Sequence, residues 1–217
     1  MSKIAQHFNE GGWAMYIILA WLIIAWAFII ERAIYLYKSS INKDEFLATM
    51  QKCILAGDIG RAIKLCSAAN APLARIVKSG LLKVNRPDAE VQAAMDESAL
   101  RELPKIEHRT GYLALLANLA MLSGLFGTVY GLIVAFGAVA NADNATKATL
   151  LAAGISEAMN CTAFGLIAAI VALIGFAVLN GKTQALVDDI NAGTVQVMNL
   201  VTNNRSKINL QGVQQAA

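Results

Sequence analysis

Three side chains have the type and placement to handle a cation: Thr128, Glu157 and Thr162. All three lie in long apolar stretches. Gly111 to Ala142 carries no charge, and the stretch from about Thr149 to Gly181 is interrupted by one carboxylate, Glu157. An ionised carboxylate inside hydrocarbon costs at least a few kcal/mol, so such a group faces protein or water and marks a route for ions. If one helix leaves the membrane near Ala140 and the next re-enters near Thr149, both hydroxyls lie roughly 18–20 Å below the surface, near the midplane. On the same count Glu157 lies about 7–8 Å closer to the outside. A matched pair of hydroxyls at one depth suits a shared site. Two plainer readings stand beside it. A threonine in a membrane helix also bonds to its own chain's carbonyl one turn back. Glu157 could serve structure alone, capped by hydroxyls or paired with a basic residue of another subunit. Asn118, Asn160 and Asn180 are read as interhelical hydrogen-bonding groups.

The elements that must position these groups carry narrow faces. Gly124, Gly127, Gly131 and Ala135 lie on the first of the two runs, the last three recurring every four residues. On the other run Gly154, Glu157, Cys161, Gly165, Ala168, Ala172 and Gly175 follow a three-or-four-residue step. Small residues at that spacing let backbones approach closely, so these two helices are expected to pack on each other and on other subunits.

The whole chain has a membrane composition: 57% of its 217 residues are hydrophobic and 15% charged, against about 25% charged in soluble domains. A further apolar run, Trp13 to Ile30, is free of charge, lacks a basic leader and a small-residue cleavage pattern and ends in Phe28-Ile29-Ile30 before Glu31-Arg32; it reads as a retained anchor. Of the 18 Lys and Arg residues, all but Lys3 and Lys147 follow the first or the third run. The positive-inside rule then gives an N-out, C-in, all-α membrane protein. Residues 1–12 are an external segment, 13–30 the first span, 31–110 a cytoplasmic helical loop and 111–140 the second span. Residues 141–148 are an external loop, 149–181 the third span and 182–217 a cytoplasmic helix and tail. The net charge of +3 needs no nucleic acid to explain it. Cys53, Cys66 and Cys161 are widely spaced and read as inert thiols.

In the loop, Phe46, Leu47, Met50, Ile54, Leu55, Ile59, Ala62, Ile63 and Leu65 are spaced for one buried helical face, broken at Gly57-Asp58. Asp88 opens a further helix that is expected to run on into the second span as one rod, kinked at Pro104. The third span continues into a stripe of Leu186, Val187, Ile190 and Val197.

These residues resemble the TolQ/ExbB branch of the MotA/TolQ/ExbB proton-channel family. The resemblance rests on Gly11-Gly12-Trp13 before the first run and Glu31-Arg32 after it. It rests most on Gly124-Leu125-Phe126-Gly127-Thr128-Val129-Tyr130-Gly131 and on Gly154-Ile155-Ser156-Glu157-Ala158 with Thr162-Ala163 and Gly165-Leu166. It implies a homo-oligomer, usually a pentamer, in the bacterial inner membrane. Its second and third spans would surround the single helices of an ExbD- or TolR-like partner that carries a membrane aspartate. Thr128 and Thr162 match the family's pore-facing threonines and Glu157 its third-span glutamate. A TonB-like or other outer-membrane-linked protein would receive the work. The family's common prolines in the second and third spans are replaced here by Met121 and Val171.

Other classes are a passive cation channel and a structural membrane scaffold. An enzyme is disfavoured, because no catalytic constellation, metal-spaced cluster, cofactor motif or phosphate loop is visible and His7 and His108 lie outside the runs.

Overall fold

The computed structural model describes residues 11–140 and 142–205. Expectations for residues 1–10, for Asn141 and for the tail from 206 onward lie outside the described residues. Seven helices follow in order, with no strand among the described residues: α1 (Ala14–Ser39), α2 (Lys43–Leu55), α3 (Ile59–Ala68), α4 (Pro72–Leu81), α5 (Asp88–Glu107), α6 (Gly111–Ala140) and α7 (Lys147–Asn203). Three helical stretches are long and apolar enough to cross a membrane, and each overlaps one of the three apolar runs. The chain divides into two compact units, Met1–Arg32 with Thr110–Leu179 and Ala33–Arg109 with Asn180–Ala217.

The first unit holds the apolar helices. Small residues do most of its packing: Ile18, Ala120 and Ala168 form one buried cluster, with Trp21, Leu22 and Phe164 against it. Ala14, Met15 and Cys161 form a second. The Trp21 indole donates to Ser123 Oγ at 3.1 Å, which satisfies the one polar atom of a side chain otherwise suited to this core.

The second unit is built differently, on large aliphatic side chains. Phe46, Leu47, Met50 and Ile54 of α2 and Ile59, Ala62 and Ile63 of α3 are buried, as their spacing predicts; Leu55 is 47% exposed, because the helix ends there and turns away through Gly57. The expected break at Gly57-Asp58 is present, and Gly57 takes φ +74°, a conformation that suits glycine. Asp58 caps α3 by accepting from the Arg61 backbone N–H. The sequence reading missed one boundary: α3 ends at Ala68 and a separate α4 begins at Pro72, a residue well suited to the first helical position because its missing N–H would have had no partner there. The continuous rod expected from Asp88 is also divided. Pro104 cannot donate to the carbonyl one turn back, and the chain turns at residues 108–110 before α6 begins.

Later residues of α7 close this unit. Val187, Ile190, Val197 and Val201 are buried, and a Cβ on Gly193 would meet Leu73 at 3.1 Å. Three ion pairs tie the helices: Lys43 to Asp189 at 2.7 Å, Arg75 to Glu102 at 2.7 Å, and Arg205 to Asp88 at 2.5 Å. Burial alone would raise the Glu102 carboxyl, but the hydrogen bond from Lys105 and the charge of Arg75 outweigh it and hold the group below its usual value. The hydrogen bond to Asp189 raises Lys43. Burial pushes the Cys66 thiol up to about 12.

Candidate functional site

The two helices that carry the candidate residues meet backbone to backbone. A Cβ on Gly165 would stand 2.9 Å from the Gly124 Cα and 3.1 Å from the Ala120 carbonyl oxygen. A Cβ on Gly124 would stand 3.0 Å from the Cys161 carbonyl oxygen. Further along, a Cβ on Gly127 would meet the Cys161 side chain at 2.9 Å, one on Gly131 would meet Ala158 at 3.2 Å, and one on Gly154 would press on Ala135. The five glycines singled out from the sequence therefore line one antiparallel seam between α6 and α7.

That seam brings Thr128 and Thr162 together. The Thr128 hydroxyl lies 3.1 Å from the Gly124 carbonyl oxygen, one turn back on its own helix, and 3.2 Å from the Ala158 carbonyl oxygen across the seam. It also hydrogen-bonds to the Thr162 hydroxyl. Either hydroxyl can donate in this pair, and each carbonyl can take a proton the pair does not use. Both readings of the threonines are thus present in one place: the bond to the carbonyl one turn back and the shared pair. Both side chains are half-buried.

Glu157 does not join that pair. It lines an open groove of about 490 Å³ with Gly131, Ala135, Ala138, Ala153 and Gly154. One carboxylate oxygen lies against Gly12, where a Cβ would fall upon it. Gly12 has φ +67°, a conformation that L side chains rarely adopt. One turn along α7, the Cys161 thiol donates to the Gly11 carbonyl at 3.0 Å. The Gly11–Gly12 turn is therefore held by two consecutive turns of α7, a role for these glycines that their spacing alone does not disclose. Asn160 leaves its Nδ2 buried with no hydrogen-bond partner among the described residues.

Residues 68–192 match the family described as the MotA/TolQ/ExbB proton channel family, over more than half of the chain. The chain belongs to this family. Among its relatives is the Tol-Pal system protein TolQ of Haemophilus influenzae, 31% identical over 185 residues that make up 80% of this chain and 80% of that one. The putative biopolymer transport protein ExbB-like 3 of Synechocystis is 28% identical over 165 residues, 76% of this chain and 79% of that protein. The TolQ of Pseudomonas aeruginosa is 38% identical over 104 residues, 46% and 45% of the two chains. The resemblance carried by the glycine, threonine and glutamate motifs is a true family relationship, and the MotA/TolQ/ExbB match covers α6 and the part of α7 that forms the seam.

Proposed function

We propose that this chain is the ring-forming, proton-conducting subunit of a motor driven by the proton-motive force in the inner membrane. In this reading several copies, five by the family resemblance, enclose the helices of an ExbD- or TolR-like partner with a single span and a membrane aspartate. The ring passes protons by way of Thr128, Thr162 and Glu157, and the partner delivers force to a TonB-like or other envelope-linked protein. The N-terminus faces outward and residues 31–110 and 182–217 face the cytoplasm, in keeping with the distribution of lysine and arginine.

The observation that supports this best is the Thr128–Thr162 pair. Two hydroxyls and two carbonyl oxygens converge there at a helix seam. Such a cluster can pass a proton along or hold a cation. The small-residue groove beside Glu157 supports a second carboxylate-lined step. Each charge moved through 100 mV releases about 2.3 kcal/mol, so mechanical work requires many such passages.

The test is Thr162→Ala and Thr128→Ala, singly and together, in cells whose envelope process depends on this protein. The expected result is an assembled complex that co-purifies with its single-span partner and no longer supports the process. Full function of the double variant would refute the reading. A structural joint is the second reading, favoured by the bond from Thr128 to the Gly124 carbonyl; it predicts lost thermal stability with the proton-dependent phenotype retained.

A further inference from the structure

Among the described residues, Glu157 enters no ion pair. Lys147, the nearest charged side chain on α7, is ten residues away, about 15 Å along the helix. The groove that Glu157 lines is walled by small residues and by Val134 and Leu150, and Ser156 is its one other polar side chain. A carboxylate in such surroundings is costly unless something positive faces it.

What faces it is the end of a helix. A carboxylate oxygen takes the place that a Cβ on Gly12 would fill, two residues before Ala14 opens α1. The chain winds into the helix there: the Met15 N–H donates to the Gly12 carbonyl at 3.4 Å and the Tyr16 N–H to the Trp13 carbonyl at 3.2 Å. The opening N–H groups of a helix point out of its end, and the aligned peptide dipoles place about half a positive charge there. Many helices meet that charge with an Asp or Glu of their own first turn; α1 has no acidic residue in its first turn. Glu157 supplies the charge from another helix, and the bare Gly12 with its positive φ lets the carboxylate reach the backbone. The same turn touches both partners of α1. Ala14 and Met15 pack with Cys161 of α7, while Trp13 lies edge-on to Tyr130 of α6 with centroids 5.4 Å apart.

We propose that Glu157 is the electrostatic cap of α1: its negative charge holds the first turn of that helix closed, and neutralising the charge loosens the turn and the seat of Trp13 on Tyr130. Among the described residues, the other ionisable groups in or beside this turn are Cys161 on α7, Tyr130 on α6 and Tyr16 on α1 itself. The cap responds to any event that neutralises Glu157, uptake of a proton included. It depends on the geometry of α1 and α7 and is independent of the motor reading.

Amide hydrogen exchange of the full-length protein in phosphatidylcholine vesicles tests it. Glu157→Gln keeps the size of the side chain and removes its charge. The amides of residues 13–17 are expected to exchange about two- to fivefold faster than in the unaltered chain, the ratio that a charge at a helix end gives, while those of residues 120–131 along the seam keep their rates. A Glu157→Gln chain as protected as the unaltered one would overturn the proposal, because volume alone would then hold the turn. Faster exchange spread equally over the turn and the seam would overturn it too, since that is loss of packing and not of a cap. Should Glu157→Gln fail to accumulate, Glu157→Asp and Glu157→Asn replace it, a pair alike in size and different in charge. Slower exchange at residues 13–17 in Glu157→Asp than in Glu157→Asn is then expected, and equal exchange in the two would overturn the proposal.

Discussion

Replacing Gly165 with alanine tests whether the seam sets the geometry of the threonine pair. The added methyl would stand 2.9 Å from the Gly124 Cα and 3.1 Å from the Ala120 carbonyl oxygen, and both obstacles are backbone. Carbon atoms rest at about 3.5–4.0 Å, so α6 and α7 must part by roughly 0.7 Å. Added to the 3.2 Å between Thr128 and the Ala158 carbonyl, that parting gives about 3.9 Å, beyond hydrogen-bond range. Overpacking of this kind costs about 1–3 kcal/mol. Gly137 and Gly181 are the controls, since a Cβ at either meets nothing within 4 Å; alanine there is neutral or gains up to about 1 kcal/mol of helix propensity. Thermal unfolding of the purified complex and the proton-dependent phenotype are measured for all three variants. Gly165→Ala is expected to lower the melting temperature and the activity while the controls do neither. Equal behaviour of Gly165→Ala and Gly137→Ala would refute the claim that close backbone approach positions the hydroxyls.

Gly12→Ala must adopt φ +67° and displace the Glu157 carboxylate; the left-handed conformation alone costs about 1–2 kcal/mol, so reduced thermal stability is expected, and Gly12→Ala/Glu157→Ala should recover the part due to the clash but not the rest. With its thiol pushed up to about 12, Cys66 is about one part in 10⁵ thiolate at pH 7; a thiol-reactive reagent should therefore modify it only after denaturation, and rapid labelling of the native protein would refute its burial. Glu102 is held below its usual value by Lys105 and Arg75 against the opposing effect of burial, so its contribution is present above the unfolded carboxyl's range and is lost as pH falls through the lower folded value. Because Arg75 and Lys105 are 44% and 59% exposed, Glu102→Gln should cost only about 1 kcal/mol at neutral pH, and its melting temperature should approach that of the unaltered chain on acidification.

Periodicity along a helix made much of this molecule legible. A three-or-four-residue step tells which face is narrow, so the seam glycines and the threonine pair could be read from α6 and α7 separately, and the large aliphatic faces of α2 and α3 likewise. Pro72 carried a start signal that the reading passed over. What periodicity does not carry is the axial offset between helices. Sliding α1 by two turns against α6 leaves every stripe facing the same way, so nothing in the spacing of Ala14, Ile18 and Ala25 says that Ala14 stops at the level of Gly127.

That offset is set instead at the helix end, by contacts that are remote in sequence. The Cys161 thiol donates to the Gly11 carbonyl and Glu157 occupies the place of a Cβ on Gly12, which requires at residue 12 no side chain and a positive φ. The same two glycines were visible in the sequence as part of a motif, but their meaning depended on a helix that begins more than a hundred residues later.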